Sequence, residues 1–217
     1  SSIYAVIEGG GAELKLESIK TIAQVEARNF AYRGVSFDEA EGEIELAGPI
    51  NIYRNMSGRR GGGVGIAEEV YVNLKERWLR LKGVSCTMEP VAVTSCFAPT
   101  VADYISRYKL SQGTEVAVSG TIGFSDEKFN DLKIVFRDAG GTGIYSLWGE
   151  DYAIRSPQGE VVYQKKDLFY DVKGALFGKA LSVKGKVNLR PGANNYTVSL
   201  KAGASTWVPV FWAERSL

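Results

Sequence analysis

Histidine is absent from this chain of 217 residues. Its absence excludes Ser-His-Asp and Cys-His catalytic systems, histidine-ligated zinc or haem, and any histidine pH switch. Proline and cysteine are scarce, with 6 and 2 residues. No apolar run approaches the ~20 residues that a membrane-spanning helix needs. We therefore expect no membrane span and no cofactor.

An excess of charge of one sign is also lacking, because 26 Lys and Arg residues oppose 25 Asp and Glu residues. The formal net charge of +1 provides no overall field for binding nucleic acid or an acidic membrane. The acidic run 38–45 offers oxygen ligands for calcium, but it lacks EF-hand spacing and alternates like the wet face of a strand. Since nothing indicates a cleft with paired carboxylates, we predict that the protein is not an enzyme.

Glycine is plentiful, with 25 residues, and apolar residues mostly recur at every second position. Short alternating runs separated by Gly, Asn and Asp are typical of antiparallel strands. The sequence therefore predicts a mainly β fold, an antiparallel β-sandwich or barrel with two short helices. The predicted strands include runs at 3–7, 43–46, 70–74, 91–94, 115–122, 132–136, 181–187, 196–200 and 207–212.

Two segments depart from this period. Thr100 and Asp103 have the capping-box spacing, and a helical stripe follows, so we predict a helix near 100–109. A second helix is predicted near 165–177, where Leu168, Val172 and Ala175 fall on one helical face before Gly178.

The second half of the chain resembles the five-stranded OB barrel in its order of strands and helix. The run Val-Ala-Val-Ser-Gly-Thr-Ile from Val116, followed by Ile-Val-Phe-Arg-Asp from Ile134, is similar to the opening of nucleic-acid-binding members of that fold. The resemblance implies a fold rather than an activity. We therefore divide the chain into a β-rich N-terminal domain or layer at 1–98 and an OB-like barrel at 99–217.

Three sequence features indicate export. The nine residues between Cys86 and Cys96 include the turn-forming Glu89-Pro90, which favours a disulfide across a hairpin; two reduced, buried cysteines are the alternative. Glycosylation sequons begin at Asn55 and Asn195. The chain begins with Ser rather than Met, as a processed chain does. We predict an extracellular or cell-surface location, with a cytoplasmic location as the alternative.

The leading functional hypothesis is a structural subunit that binds copies of itself and forms a filament, tube or surface layer. The apolar segment Ile3, Tyr4, Val6 and Ile7 would pair with a strand edge of a neighbour. Arg59 and Arg60 lie in the Gly-rich loop 54–65, which lacks the Gly-Lys-Ser/Thr ending of a P-loop. They would contact the acidic run 38–45 of the next subunit.

The alternative hypothesis is an intracellular single-stranded nucleic-acid-binding protein that uses the OB-like half. Between residues 165 and 201, eight Lys and Arg residues accompany only two acidic residues. The contacts predicted for this function are Lys184, Lys186, Arg190 and Tyr196. A barrel that binds carbohydrate or another small ligand is a third class, supported only by scattered Trp and Tyr.

Overall fold

The computed structural model describes residues 2–8, 20–96, 102, 106, 110, 113–124, 126–138, 141–147, 150–188, 196–202 and 208–210. The first strands are β1 (Ser2–Glu8), β2 (Lys20–Tyr32), β3 (Val35–Ala47), β4 (Ile50–Arg60), β5 (Gly63–Asn73) and β6 (Trp78–Cys86). Helix α1 (Pro90–Ser95) follows. The later strands are β7 (Glu115–Gly123), β8 (Asp131–Arg137), β9 (Thr142–Leu147), β10 (Glu150–Gln164), β11 (Asp167–Leu176), β12 (Lys179–Asn188), β13 (Tyr196–Ala202) and β14 (Val208–Val210), with a 3-10 turn at Glu127–Phe129.

All of these strands belong to one antiparallel sheet, so the predicted mainly β fold is confirmed. Strands that are consecutive in the chain pair with each other, except that β8 pairs with β10 rather than with β9, which itself pairs with β10. Strand β6 pairs with β7, which places Leu79 opposite Ile122. Hydrogen bonding therefore continues across the predicted boundary at 98/99, and the division into two domains stays a prediction.

Residue alternation gives the sheet two chemically different faces. On β8, Leu132, Ile134 and Phe136 are half-buried, whereas Lys133 and Val135 between them are exposed. Two rows of aligned residues define the apolar face. The row on β2 to β6 consists of Ala23, Ile44, Tyr53, Val70 and Leu81, and the row on β7, β8, β10 and β11 consists of Val118, Ile134, Val161 and Tyr170. Those that define the polar face are Gln24, Glu43, Arg54, Glu69 and Lys82, then Ala117, Val135, Glu160, Asp171 and Lys184.

Very little of the described chain is fully buried. Its buried apolar residues are Met88, Cys96, Ala102 and Leu181. Of these, only Leu181 lies within a strand. A sheet face packed beneath a second layer would be buried along most of its strands. In the described residues, the apolar face therefore lacks a complete second layer.

Met88, one of these buried residues, lies where the segment after β6 crosses β5. A Cβ atom on Gly63 would lie 2.6 Å from Met88 Cα, and one on Gly65 would overlap Met88 Cε. Thr87 N donates to Val64 O at 2.8 Å, which fixes the crossing chain against β5. The glycines at 63 and 65 thus permit a close backbone approach that a larger residue would block.

Three sequence predictions about local structure need correction or restriction. The predicted helix at 165–177 is wrong, because Asp167–Leu176 forms β11. The apolar residues Leu168, Tyr170 and Val172 occupy every second position, with Asp171 on the opposite face. Backbone N–H and C=O groups of this segment form hydrogen bonds with β10 and β12. The β-branched and aromatic side chains also favour a strand here.

The predicted strand at 91–94 is also wrong, because this segment belongs to α1. Proline suits the first helical position because its φ matches the helix and because an N–H at that position has no carbonyl acceptor within the helix. Of the helix predicted near 100–109, Ala102 and Ser106 are helical, and the remainder lies outside the described residues. The sheet order supports the mainly β class, while the sandwich and OB-like details stay predictions.

Candidate assembly interface

The polar face carries an ion-pair network across five strands, from β2 to β6. Arg54 Nη1 on β4 donates to Glu45 Oε2 at 2.7 Å and to Glu43 Oε1 at 3.3 Å on β3. Arg54 Nε lies 3.9 Å from Glu69 Oε2 on β5. The network continues outward through Lys20 Nζ, 2.9 Å from Glu45 Oε1, and Arg80 Nη2, 3.0 Å from Glu69 Oε1. Glu43 and Glu45 of the acidic strand β3 are thereby paired with cations of the same chain.

The carboxyl group of Glu45 is the most enclosed acid of this network, with 12% of its side chain exposed. Its hydrogen bond with Arg54 lowers its pKa, and Lys20 adds to the effect. The reciprocal hydrogen bond with Glu45 raises the pKa of Arg54. Because these charges already have partners, this part of the polar face resembles a solvated outer surface rather than a binding site.

The apolar face, by contrast, presents aligned aliphatic and aromatic side chains that are only half-buried. Ile44, Tyr53 and Val70 form one continuous row across β3 to β5. Val118, Ile134 and Val161 form another across β7, β8 and β10. At the border of the face, Leu46 is 42% exposed. The apolar face is therefore partly accessible to solvent along its aligned rows.

The predicted edge-pairing segment forms β1, at one end of the sheet. It pairs with β2 of its own chain, which places Ile3 opposite Val25 and Tyr4 opposite Gln24. Val6 and Ile7 continue the ladder opposite Ile22 and Thr21. In the described residues β1 has a neighbour on one side, so its other backbone edge is available for a further strand.

The two predicted contact arginines both have partners within the chain. Arg59 Nε lies 3.0 Å from Glu39 Oε1 on β3. Arg60 Nη1 lies 3.6 Å from Glu89 Oε2, next to α1. The two arginines therefore lie at the end of β4, in the hairpin between β4 and β5, and each forms an ion pair within the chain. Their contact with a neighbouring subunit stays a prediction.

The predicted disulfide between Cys86 and Cys96 is absent, and both residues are free thiols. The hairpin expected between them does not form, since Pro90 begins α1. Cys96 is fully buried, with Sγ 3.5 Å from Ala92 O and 3.8 Å from Tyr32 O. Burial raises the pKa of both thiols, which favours the protonated, unreactive form.

The first sequon is accessible but does not lie in a turn. Asn55 is an exposed residue in the middle of β4, with φ of 49° beside a register shift between β3 and β4. The second sequon residue, Asn195, lies outside the described residues. Glycosylation at both positions stays a prediction.

Two of the predicted nucleic-acid contacts are ion-paired. Lys184 Nζ lies 2.5 Å from Asp171 Oδ2, and Lys186 Nζ lies 2.9 Å from Asp167 Oδ2. Tyr196 begins β13 opposite Val187, and Arg190 lies outside the described residues. The partners come from β11, the segment for which the sequence predicts a helix; Asp167 and Asp171 are four residues apart, a spacing that suits one face of a helix as well as one face of a strand.

Comparison of the chain with protein-family models, curated proteins and solved structures found no match. The part of the chain that the structure describes contains no cluster of three or more His, Cys, Asp or Glu residues suited to a metal ion. No helix among the described residues is long and apolar enough to cross a membrane.

Proposed function

We propose that the protein is a non-enzymatic structural subunit that assembles with copies of itself by covering the apolar face of the sheet. The observation that carries this proposal is the incomplete burial of that face in the described residues, despite its continuous apolar rows. An amphipathic sheet gains stability only when its apolar face is removed from water.

The accessible surface gives the size of the effect. The chain exposes 14129 Å². A compact monomer of 23.6 kDa would expose roughly 9,800 Å² by the usual scaling of surface with mass. The excess of about 4,300 Å² is ample for obligate subunit interfaces, which bury about 2,000–5,000 Å² in total. The accessible surface of the chain thus exceeds that of a compact monomer, as expected for one part of a larger assembly.

A second copy is the occupant that matches the face best. It offers an apolar sheet surface of the same width, and stacked sheets interdigitate at the ~10 Å spacing of a β-sandwich. The net charge of +1 offers little resistance to association. The edge of β1 that has no partner strand among the described residues offers a second, independent contact, by which sheets would extend into a filament, tube or surface layer.

Export to the cell surface remains part of the proposal, although the free cysteines remove one of its supports. The exposed position of Asn55 is compatible with modification by a glycan. Intact mass of native material tests this point, since a glycan adds mass at Asn55 or Asn195. An unmodified native mass would favour a cytoplasmic location.

Single-stranded nucleic-acid binding by an OB-like second half is the second candidate function. It is favoured by Lys186 Nζ, which lies 5.1 Å from the ring centroid of the exposed Phe169 and so joins a cation to a stacking surface. It is opposed by the carboxylate partners of Lys184 and Lys186. Replacing Lys184, Lys186 and Arg190 with Glu should abolish oligonucleotide retardation at low salt; absence of retardation by the wild type would eliminate this function.

Two adjacent residues on opposite faces of β8 test the assembly proposal. Ile134→Lys places a charge on the apolar face, whereas Val135→Lys places the same charge on the polar face, where Val135 is already 40% exposed. We expect Ile134→Lys to shift the sedimentation profile toward monomer and Val135→Lys to leave it as in the wild type. Circular dichroism checks that both variants keep the strand content. Equal self-association of folded Ile134→Lys and wild type would contradict the proposal.

A further inference from the structure

A cleft on the polar face is lined by three cations that take part in no ion pair among the described residues. It has a volume of about 510 Å³ and lies at the bulge in β10, where β10, β11, β12 and β13 run side by side. Its described lining includes the cations Arg155, Lys173 and Lys201 and no carboxylate. None of the three takes part in a described ion pair, unlike Lys184 and Lys186 nearby.

The strand register places these cations around a small floor. Lys173 on β11 aligns with Ser182 on β12, which aligns with Lys201 on β13. Arg155 on β10 aligns with Ala175, which aligns with Ala180. Small side chains therefore occupy the centre, and long cationic side chains stand around it. Ser156, Gln158 and Ser182 also line the cleft and add hydroxyl and amide donors.

The bulge that shapes the cleft is fixed by backbone hydrogen bonds. The register between β10 and β11 shifts between Arg155 and Gln158, and Ser156 has φ of 46°. Ser156 N donates to Gly141 O at 2.8 Å, and Asp138 N donates to Pro157 O at 2.9 Å. The backbone positions from which Arg155 and Lys173 project are thus fixed by the sheet and by the bulge.

The nearest carboxylates on this face do not neutralise the cleft. Asp171 is paired with Lys184, and Glu160 with Lys133 at 2.6 Å. Three like charges around one concavity repel one another, and a multivalent anion would relieve that repulsion. Arginine and lysine beside hydroxyl donors are suited to the oxygens of a phosphate group.

We propose that this cleft binds a phosphate-type oxyanion through Arg155, Lys173 and Lys201. The site lies on the polar face, away from the apolar face, so the test of this proposal does not depend on whether the protein self-assembles. The phosphate belongs either to a free phosphorylated compound or to a nucleic-acid backbone, and the two sources share the chemistry that the cleft recognises.

Calorimetric titration of the full chain with pyrophosphate tests the site. We expect saturable binding by the wild type, weakened about tenfold by Lys173→Gln or Lys201→Gln, because each removes a charge-assisted hydrogen bond. Lys165→Asn is the matched control: it removes one charge from the opposite end of the same hairpin and suits the positive φ at that turn. This control should bind pyrophosphate as the wild type does.

If the wild type shows no saturable binding up to about 10 mM pyrophosphate, the proposal is wrong, because a cleft with a dissociation constant above that concentration does not bind phosphate specifically. Equal weakening in all three variants would overturn it as well, because the effect would then reflect net charge alone. Competition by a short single-stranded oligonucleotide, lost in the same two cleft variants, would assign the phosphate to a nucleic-acid backbone. Pyrophosphate binding without such competition would assign it to a free compound.

Discussion

Arg54 and Glu45 form a diagonal ion pair across β4 and β3, with Nη1 2.7 Å from Oε2, although the backbone register places Glu43 opposite Arg54. The diagonal geometry lets one guanidinium reach carboxylates on both neighbouring strands. Arg54 is therefore the central cation of this network, and Glu45 is the acid that it approaches most closely.

Removing the central cation should destabilise the fold. Arg54→Met keeps the length of the side chain but leaves Glu43, Glu45 and Glu69 as neighbouring like charges, so we expect a loss of about 1–2 kcal/mol. Arg28→Met is the control, because Arg28 is 72% exposed in its pair with Glu26, and it should cost less than about 0.5 kcal/mol. Urea unfolding at pH 7 measures both values; equal losses would contradict the central role of Arg54.

The lowered pKa of Glu45 makes stability depend on pH in a defined direction. A carboxyl group with a lower pKa in the folded state contributes stability that is fully present above its unfolded pKa, near 4.5. That contribution disappears as the pH falls through the folded pKa. We expect Glu45→Gln to be less stable than the wild type at pH 7 by about 1 kcal/mol, with the difference shrinking in acid. A difference that is constant from pH 7 to about pH 2 would contradict the assignment.

The close crossing over β5 makes Gly63 sensitive to substitution. Its added Cβ would lie 2.6 Å from Met88 Cα, so backbone must move, and we expect Gly63→Ala to cost about 1–3 kcal/mol. Gly58→Ala is the matched variant on the adjacent strand, where the nearest atom would lie at 3.5 Å, an ordinary contact. Thermal unfolding should separate the two variants, and equal midpoints would argue against the crossing.

The thiols should titrate as two reduced groups. In denaturant without reductant, we expect about two thiols per chain to react with a disulfide reagent, since both cysteines are free. In the native protein, Cys96 should react far more slowly, because its side chain is fully buried and its pKa is raised. Finding no reactive thiol in denaturant would restore the disulfide predicted from spacing.

Alternation alone was sufficient to predict most strands, because half-buried antiparallel strands carry a strong period-two signal. The run from Asp131 to Arg137 shows it clearly. The same reasoning failed at 165–177, because Leu168 and Val172, four residues apart, suit one face of a helix as well as one face of a strand, while Ala175 fits the helical spacing and lies on the opposite face of the strand. It also failed at 91–94, since a four-residue apolar run has no distinguishable period.

The contacts that define the candidate sites depend on register, which one sequence does not contain. The pairs of Lys184 with Asp171 and of Arg59 with Glu39 follow only once the strands are aligned. The cleft cations are likewise far apart in the chain: Arg155 aligns with Ala175, whereas Lys173 and Lys201 align through Ser182, and the three line one cleft only in the folded sheet. A basic segment was visible in the sequence, but which of its lysines lack partners was not.

The mass of the wild-type protein in solution tests the central claim most directly. Sedimentation velocity over a range of concentrations should show species at multiples of 23.6 kDa, with self-association through the apolar face. A single species of 23.6 kDa at every concentration would contradict the account, because the half-buried rows around Ile134 would then have no second copy to cover them.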